Sequence, residues 1–181
     1  MRVRQAVCAD ASGIARVHVD SWRTTYRGIV PQDYLDGLTY AERQTGWERG
    51  LCMSDPEPCV YVAEDGNGQI VGFANGGPER SGDPVYRGEL YAIYVLQPHQ
   101  RQGLGRELVR KVVEALQKMG FQSMLVWVLA DNPSRRFYEA LGGEPVRTQE
   151  ISIGGTPLEE VAYGWQALQL TFGPDRGVGL K

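Results

Sequence analysis

Residues 89–109 read ELYAIYVLQPHQRQGLGRELV, and this stretch decides the fold class. Its first part belongs to a strand-like run from Tyr86 to Val95, and Pro98 ends that pattern. A helical pattern from Leu104 to Met119 follows at once, with apolar residues at helical spacing on one face. The segment is therefore predicted to form a strand, a short glycine-containing loop and a helix, in that order.

The loop itself is predicted to bind a phosphate group. A helix that begins at its end leaves backbone N–H groups without partners at the positive end of the helix dipole. Gly103 and Gly105 keep side chains away from those groups, and Arg101 and Arg106 can add charge-assisted hydrogen bonds. Two rival nucleotide motifs are absent, since the chain has no P-loop and Leu108 breaks the Rossmann glycine spacing. The alternative is that the two glycines only allow the chain to turn before the helix and that the loop binds no phosphate.

The rest of the chain alternates between strand and helix patterns. Helices are predicted after Asp10, over about 40–51 after the capping box of Thr39 and Glu42, and from Asn132 to the glycines at 142 and 143. Six further stretches have strand patterns, at 2–6, 59–64, 70–74, 123–129, 147–153 and 158–168. This order predicts an α/β protein with a mixed sheet of about seven strands and helices packed on both faces.

Composition excludes several functional classes. The 181 residues are 42% hydrophobic and 23% charged, which is typical of one globular domain and not of a disordered chain. The net charge of −3 is unlike that of a protein that neutralises nucleic-acid phosphates. Neither a membrane-length apolar run nor a signal-peptide pattern is present, so we predict a cytoplasmic protein that binds no nucleic acid or membrane.

The three cysteines give no indication of a metal site or a catalytic thiol. Cys8, Cys52 and Cys59 are odd in number and lack metal-ligand spacing, and the chain has only two histidines. We therefore expect no metal, a reducing compartment, and three small, partly buried side chains.

A second motif lies at residues 131–143, which read DNPSRRFYEALGG. Residues 100–105 fit the pattern Q/R-x-x-G-x-G/A, and Asn132, Phe137-Tyr138 and Gly142 fit N-x-x-x-x-F-Y-x-x-x-G. Together these motifs resemble those of the GNAT superfamily of N-acetyltransferases. The resemblance covers about residues 1–170 as a single domain and implies a mostly antiparallel sheet, with 171–181 as a flexible tail.

The resemblance implies a site for acetyl-CoA. In the family, the strand before the glycine loop binds the pantetheine arm through its backbone and usually carries a bulge that opens a V-shaped slot beside the next strand. Asn132 and the helix that carries Arg135 to Tyr138 would line the other side of the slot. The cofactor-binding positions implied here are Ile93, Tyr94, Val95, Arg101, Gln102, Gly103, Leu104, Gly105, Arg106, Asn132, Arg135 and Tyr138.

The implied reaction is direct acetyl transfer from the thioester to a primary amine of a small molecule, an amino acid or a peptide N-terminus. Tyr138 matches the family tyrosine near the cofactor sulfur and is assigned as general acid. A backbone N–H near Tyr94 or Val95 would polarise the carbonyl. Glu89 resembles a glutamate that some members use as general base. Alternatively, Glu89 orients a cationic substrate. A further alternative is that ordered waters remove the proton and no single residue acts as the base.

The acceptor pocket is expected to involve the aromatic segment at 21–36. Tyr26 and Tyr34 lie beside Gly28 and Pro31, and each is as suited to a pocket wall as to packing, whereas Trp22 and Trp47 are more typical of core contacts. Many members of the family dimerise, and the last strands are a candidate interface. Two other functions remain open: a module that senses acyl-CoA without turnover, and a nucleotide-binding α/β domain.

Overall fold

A single seven-stranded sheet organises the molecule, whose computed structural model describes residues 1–53 and 59–172. The strand order is β1-β2-β3-β4-β5-β7-β6, and only β4 and β5 pair in parallel. The predicted mixed, mostly antiparallel sheet is thus confirmed. The strands are β1 Arg2–Gln5, β2 Val60–Glu64, β3 Ile70–Pro78, β4 Gly88–Val95, β5 Met124–Leu129, β6 Glu144–Ile153 and β7 Thr156–Trp165.

Helices cover both faces of this sheet, as the sequence predicts. One face carries α4, and the other carries α1 with α3 packed beside it. Half of the predicted capping box is present: the Thr39 hydroxyl accepts from the backbone N–H of Glu42 at 3.3 Å, while the Glu42 carboxylate accepts from that hydroxyl at 2.8 Å. The helices are α1 Ala11–Thr25, α2 Gln32–Asp36, α3 Tyr40–Cys52, α4 Leu104–Lys118, α5 Arg135–Ala140 and α6 Leu168–Phe172.

Helix α4 forms the main core with the sheet because its apolar positions recur every three or four residues. Leu108, Val112 and Leu116 are fully buried against β2, β3 and β4. The opposite side of the helix stays in solvent, where the Lys111 ammonium lies 2.9 Å from a carboxylate oxygen of Glu114. This packing fixes the N-terminus of α4 at the end of β4, where the loop predicted to bind phosphate lies.

The other face holds an aromatic cluster. Ile14 and Val17 of α1 are buried against Val62 and Phe73, and the ring of Trp47 reaches the same cluster from α3. Helix α3 buries no residue fully, so it covers α1 more than it builds the core.

The C-terminal region differs from the prediction. The last strand ends at Trp165 and Leu168 begins α6, because Leu168 and Phe172 lie one helical turn apart and both pack into the core around Trp165. Helix α6 therefore extends past the predicted domain boundary at residue 170. Of the predicted tail, residues 173–181 lie outside the described part of the chain. Helix α2 was also missed, since its five residues are too few to show a helical period.

The expectation for the cysteines was wrong for two of the three. Cys8 and Cys52 form a disulfide with Cα atoms 5.1 Å apart, and both residues are exposed. The residues are 44 positions apart in sequence, and only the packing of α3 beside α1 brings them together. Cys59 is a free, buried cysteine as expected, and burial raises the pKa of its thiol to about 11.

Strand β6 forms one edge of the sheet, and most of its residues are exposed. Dimerisation through the last strands stays a prediction. Among the helices of residues 1–53 and 59–172, none has the length and apolarity needed to cross a membrane.

Candidate active site

The site begins where β4 and β5 separate. The two strands pair only at Gly88–Met124 and Glu89–Leu125, and beyond these pairs they diverge. On the other side of β4, Asn75 lies opposite Ala92 whereas Gly76 lies opposite Leu90, so Tyr91 is an extra residue in the strand. This is the bulge that the sequence resemblance implied, and it accompanies the opening beside β5.

The opening between β4 and β5 forms a cleft of about 710 Å³. Its walls combine strand backbone, aromatic rings and the glycine loop. Beyond Glu89, the edge of β4 that faces β5 is not paired with another described strand, so backbone groups line the cleft. The lining residues are Ser21, Thr25, Tyr26, Tyr91, Ala92, Ile93, Tyr94, Val95, Gln100, Arg101, Gly103, Gly105, Arg106, Val126, Trp127, Val128, Asn132, Pro133, Ser134, Arg136, Phe137, Tyr138 and Ala140.

The glycine loop forms one end of this cleft. Gly103 precedes the first residue of α4 and has φ of +84°, a left-handed conformation that favours glycine. No side chain in the described part of the protein caps the helix there, so its first N–H groups can bind an anion. The Gln100 side chain donates to the carbonyl oxygen of Val95 at 2.9 Å and ties the loop to the end of β4. Arg101 and Arg106 line the same end.

The opposite wall comes from α5 and the loop before it. Tyr138 is 6% exposed, lines the cleft and stacks on Tyr163 with ring centres 6.0 Å apart. Burial raises the pKa of its hydroxyl well above the usual value, so the group holds its proton at neutral pH. Asn132 is also buried, and its side-chain oxygen accepts from the backbone N–H of Ser134 at 2.9 Å. That bond holds the turn that leads into α5.

Comparison with known proteins decides the identity of this arrangement. The model of the acetyltransferase (GNAT) family matches residues 18–143, which include the cleft, the glycine loop and α5. The chain belongs to the GNAT acetyltransferase family. The family assignment made from the two motifs is confirmed, and with it the class of enzyme, an acyltransferase.

Two relatives and one solved structure show how far the GNAT likeness extends. An uncharacterized N-acetyltransferase of Bacillus subtilis, YuaI, is 48% identical over 92% of this chain and 93% of its own. Phosphinothricin N-acetyltransferase of Streptomyces viridochromogenes is 26% identical over 78% of this chain and 73% of its own. The structure of yncA from Salmonella typhimurium, with its cofactor acetyl-CoA, shares the fold with a TM-score of 0.68, 23% identity and coverage of 92% and 93%.

Most of the cofactor positions inferred for this GNAT enzyme lie together in the cleft. Ile93, Tyr94 and Val95 of β4 line it with the loop residues and with Asn132 and Tyr138. Two loop side chains do not: Leu104 is buried in the core, and the Gln102 amide donates to the carbonyl oxygen of Pro98 at 3.2 Å. For these two residues, cofactor binding through the backbone N–H groups stays a prediction.

Arg135 was assigned to the wrong side of α5. Its guanidinium donates to the Tyr163 hydroxyl at 3.0 Å and to the carbonyl oxygen of Ala130 at 2.8 Å, so it supports the helix from behind. Arg136, the next residue, lines the cleft instead. Successive residues of a helix point about 100° apart, so only one of the two adjacent arginines can face the cleft. The six residues of α5 are too few for the sequence to show which one it is.

The two aromatic candidates for the acceptor pocket have different outcomes. Tyr26 lines the cleft, with its hydroxyl oxygen 3.4 Å from that of Tyr94. Tyr34 is not among the lining residues. Its ring packs near Trp22, and its Cβ lies only 3.0 Å from where a Cβ on Gly154 would stand. Tyr34 thus holds the turn between β6 and β7 against α2. Reasoning from sequence also missed Ser21, Thr25, Tyr91 and Trp127, which no motif marks.

Glu89 lies outside the cleft lining, and its position does not support the roles of general base or substrate ligand. Glu89 is 2% exposed and lies in β4, between β3 and β5, at the last position where β4 pairs with β5 before these two strands separate. Its carboxylate accepts from the side chain of Arg80, with Nε at 3.0 Å, and from the Arg80 backbone N–H at 3.2 Å. The Arg80 guanidinium in turn lies 4.3 Å from the ring centre of Tyr91. Glu89 thereby holds Arg80 against the bulge.

We expect Glu89→Gln to lower kcat less than about tenfold and to leave the pH profile of the reaction unchanged, because the amide still offers one oxygen to Arg80. Loss of a general base would instead lower the rate by about 10²–10⁴-fold. Steady-state rates across pH for the wild type and the variant test this. A fall of that size, with loss of the acidic limb, would restore Glu89 as the base.

Proposed function

We propose that this GNAT enzyme transfers the acetyl group of acetyl-CoA directly to a primary amine of a small molecule, an amino acid or a peptide N-terminus. The observation that carries the proposal is the cleft between β4 and β5, bounded by an uncapped helix N-terminus at one end and lined by the buried Tyr138. The second relative supports a small acceptor, since its name makes phosphinothricin its substrate.

The residues of the cleft fit the cofactor. An extended pantetheine arm needs backbone donors and acceptors along its length, and the unpaired edge of β4 from Tyr91 to Val95 offers them. A pyrophosphate needs N–H groups and cations, which the first turn of α4 with Arg101 and Arg106 supplies. When bound, acetyl-CoA supplies the activated thioester.

Two groups of the protein would then act on the thioester, one at its oxygen and the other at its sulfur. A backbone N–H of the bulged strand, near Tyr94 or Val95, donates to the thioester oxygen as negative charge develops on it. The Tyr138 hydroxyl donates its proton to the departing sulfur. Tyr138 is buried, and electrostatic interactions of a buried group are stronger than in water.

The phosphate-binding role of the loop can be tested at Gly103. We expect Gly103→Val to weaken acetyl-CoA binding about tenfold or more, because a branched side chain resists φ near +84° and the shifted loop misplaces the N–H groups of α4. Isothermal titration calorimetry with acetyl-CoA measures the effect. Gly68→Val is a matched control, since Gly68 has φ of +77° in the turn before β3 and is not among the cleft residues.

The control should lose stability to a similar degree and keep its affinity for acetyl-CoA. Equal affinities in all three proteins would mean that the glycine serves only the turn. Turnover is tested separately, by release of the CoA thiol in the presence of a panel of primary amines. Tight binding without turnover on any of these amines would favour the sensing module over the enzyme.

A further inference from the structure

Charge is distributed unevenly along the cleft. The charged lining residues are Arg101, Arg106 and Arg136, and all three lie on the glycine loop, the first turn of α4 and α5. Among the described residues that line the cleft, none is an aspartate or a glutamate. The end near α1 therefore offers no carboxylate that could pair with a cation.

Hydroxyl groups line that end instead. Ser21 and Thr25 lie one turn apart on α1, and the phenol groups of Tyr26 and Tyr94 lie beside each other. We call these four residues the hydroxyl cluster. Ser21 is 4% exposed, and its Oγ is buried with no hydrogen-bond partner among residues 1–53 and 59–172. A buried polar atom without a partner lowers the stability of the fold, so such an atom beside a cleft points to a ligand group that completes it.

The titratable groups near the hydroxyl cluster are neutral at pH 7. Burial raises the pKa of Tyr26, Tyr94 and Tyr138, so their hydroxyls remain protonated. His18 stacks behind Tyr94 at 5.4 Å between ring centres, and burial, with a smaller effect of the Arg43 charge, lowers its pKa to about 4.

Two carboxylates that act on residues of the cleft lie outside its lining. Glu89 accepts from Arg80, which lies over Tyr91. Glu160, whose charge acts on Tyr26, accepts from the Gln149 side chain at 2.6 Å. Neither carboxylate is among the residues that line the cleft.

We propose that the hydroxyl cluster binds the amino group of the acceptor as the free base and selects monoamines over acceptors that carry a second ammonium group. The inference rests on the proposed function. A neutral amine can both donate to and accept from hydroxyls, whereas a buried ammonium without a carboxylate loses its hydration uncompensated. A second ammonium on the acceptor would be buried in the same way.

The protons and bonds balance without a carboxylate base. The acceptor ammonium gives its first proton to solvent before it binds. In the cleft, the amine nitrogen forms a bond to the acetyl carbon and the carbon–sulfur bond breaks. The second proton passes from the nitrogen to solvent water, and the sulfur receives one from Tyr138, whose hydroxyl takes a proton back from solvent. The products are the N-acetyl amine and the CoA thiol.

The selectivity is tested with two amines of equal length, hexylamine and 1,5-diaminopentane, in which an ammonium group replaces a terminal methyl. At saturating acetyl-CoA, we expect kcat/KM to be about 100-fold or more higher for hexylamine, because burial of an unpaired cation is strongly unfavourable. Equal values, or preference for the diamine, would overturn the proposal. An enzyme that binds no acetyl-CoA and acetylates no amine would instead contradict the proposed function.

The binding group is tested with Ser21→Ala. We expect the KM for hexylamine to rise about 3- to 10-fold, the size of one hydrogen bond, with no change in acetyl-CoA affinity. Thr24→Ala is the control, because Thr24 is exposed on the same helix and its hydroxyl donates to the carbonyl oxygen of Asp20 at 2.9 Å. An unchanged KM in Ser21→Ala would refute the role of the cluster.

Binding as the free base has its own signature. Benzylamine is less basic than hexylamine, so the pH at which kcat/KM reaches half of its plateau should be lower for benzylamine, by the difference between the two amine pKa values. The same midpoint for both amines would indicate a base on the protein and contradict the proposal.

Discussion

Replacement of Tyr138 by phenylalanine is expected to lower kcat by about 100-fold or more, the usual effect of removing a general acid. The hydroxyl is the only group that changes, because the phenylalanine ring keeps the contacts with Phe137, at 5.4 Å between ring centres, and with Tyr163. The KM for acetyl-CoA and the thermal midpoint should therefore stay close to the wild-type values. Steady-state kinetics of thiol release, with differential scanning fluorimetry, measure all three quantities.

A matched control separates the loss of the acid from the loss of any tyrosine hydroxyl. Tyr40 lies on the exposed side of α3, where its hydroxyl donates to a carboxylate oxygen of Asp20 at 2.6 Å. Tyr40→Phe removes a hydroxyl outside the cleft lining and should leave kcat unchanged. If Tyr138→Phe keeps kcat within about threefold of the wild-type value, the leaving thiolate needs no proton from this residue.

The largest effect on stability is expected for Gly76→Val. Gly76 lies in β3 opposite the bulge, where a Cβ would stand 2.7 Å from the carbonyl oxygen of Glu89 and 2.7 Å from a methyl group of Val112. The backbone oxygen cannot move without breaking the pairing of β3 with β4, so we expect a loss of about 3 kcal/mol or more. For a domain of this size, the thermal midpoint should fall by roughly 6–12 °C.

Gly46→Ala provides the opposite case. Gly46 lies within α3, and among the described residues nothing beyond its chain neighbours and the backbone of α3 lies within 4 Å of the position that an alanine methyl group would take there. Alanine should therefore raise stability by up to about 1 kcal/mol through its higher helix propensity. Urea unfolding of both variants gives the two free energies of unfolding. A Gly76→Val protein as stable as the wild type would show that β3 and β4 are not so closely packed at the bulge.

The sequence predicted the parts of the molecule that depend on local pattern. The apolar period of α4, the glycines of the loop before it and the helix cap at Thr39 are properties of a few neighbouring residues, and the structure has each of them. The two motifs indicated the family for the same reason. Patterns of three to five residues did less well, so α2 and α6 were missed and Arg135 was taken for its neighbour Arg136.

Contacts between distant segments were beyond the reach of such patterns. Glu89 has the residue type of a base, but the pairing of β4 with both neighbours buries it beside Arg80. The cysteines at 8 and 52 are joined only because α3 packs beside α1. Ser21 belongs to no motif, yet its hydroxyl is buried beside the cleft with no hydrogen-bond partner in the part of the chain that the structure describes.

By itself, the sequence determined the α/β fold class, the glycine loop at the start of α4 and, through two motifs, the acetyltransferase family. Helix period, glycine positions and short motifs are all set by residues that are neighbours in the chain. Only the tertiary structure decided which side chains share the cleft and which charges are neutralised outside it. The reason is physical: burial and pairing, which set whether a carboxylate or a hydroxyl is free to meet a substrate, depend on residues from strands and helices far apart in the chain.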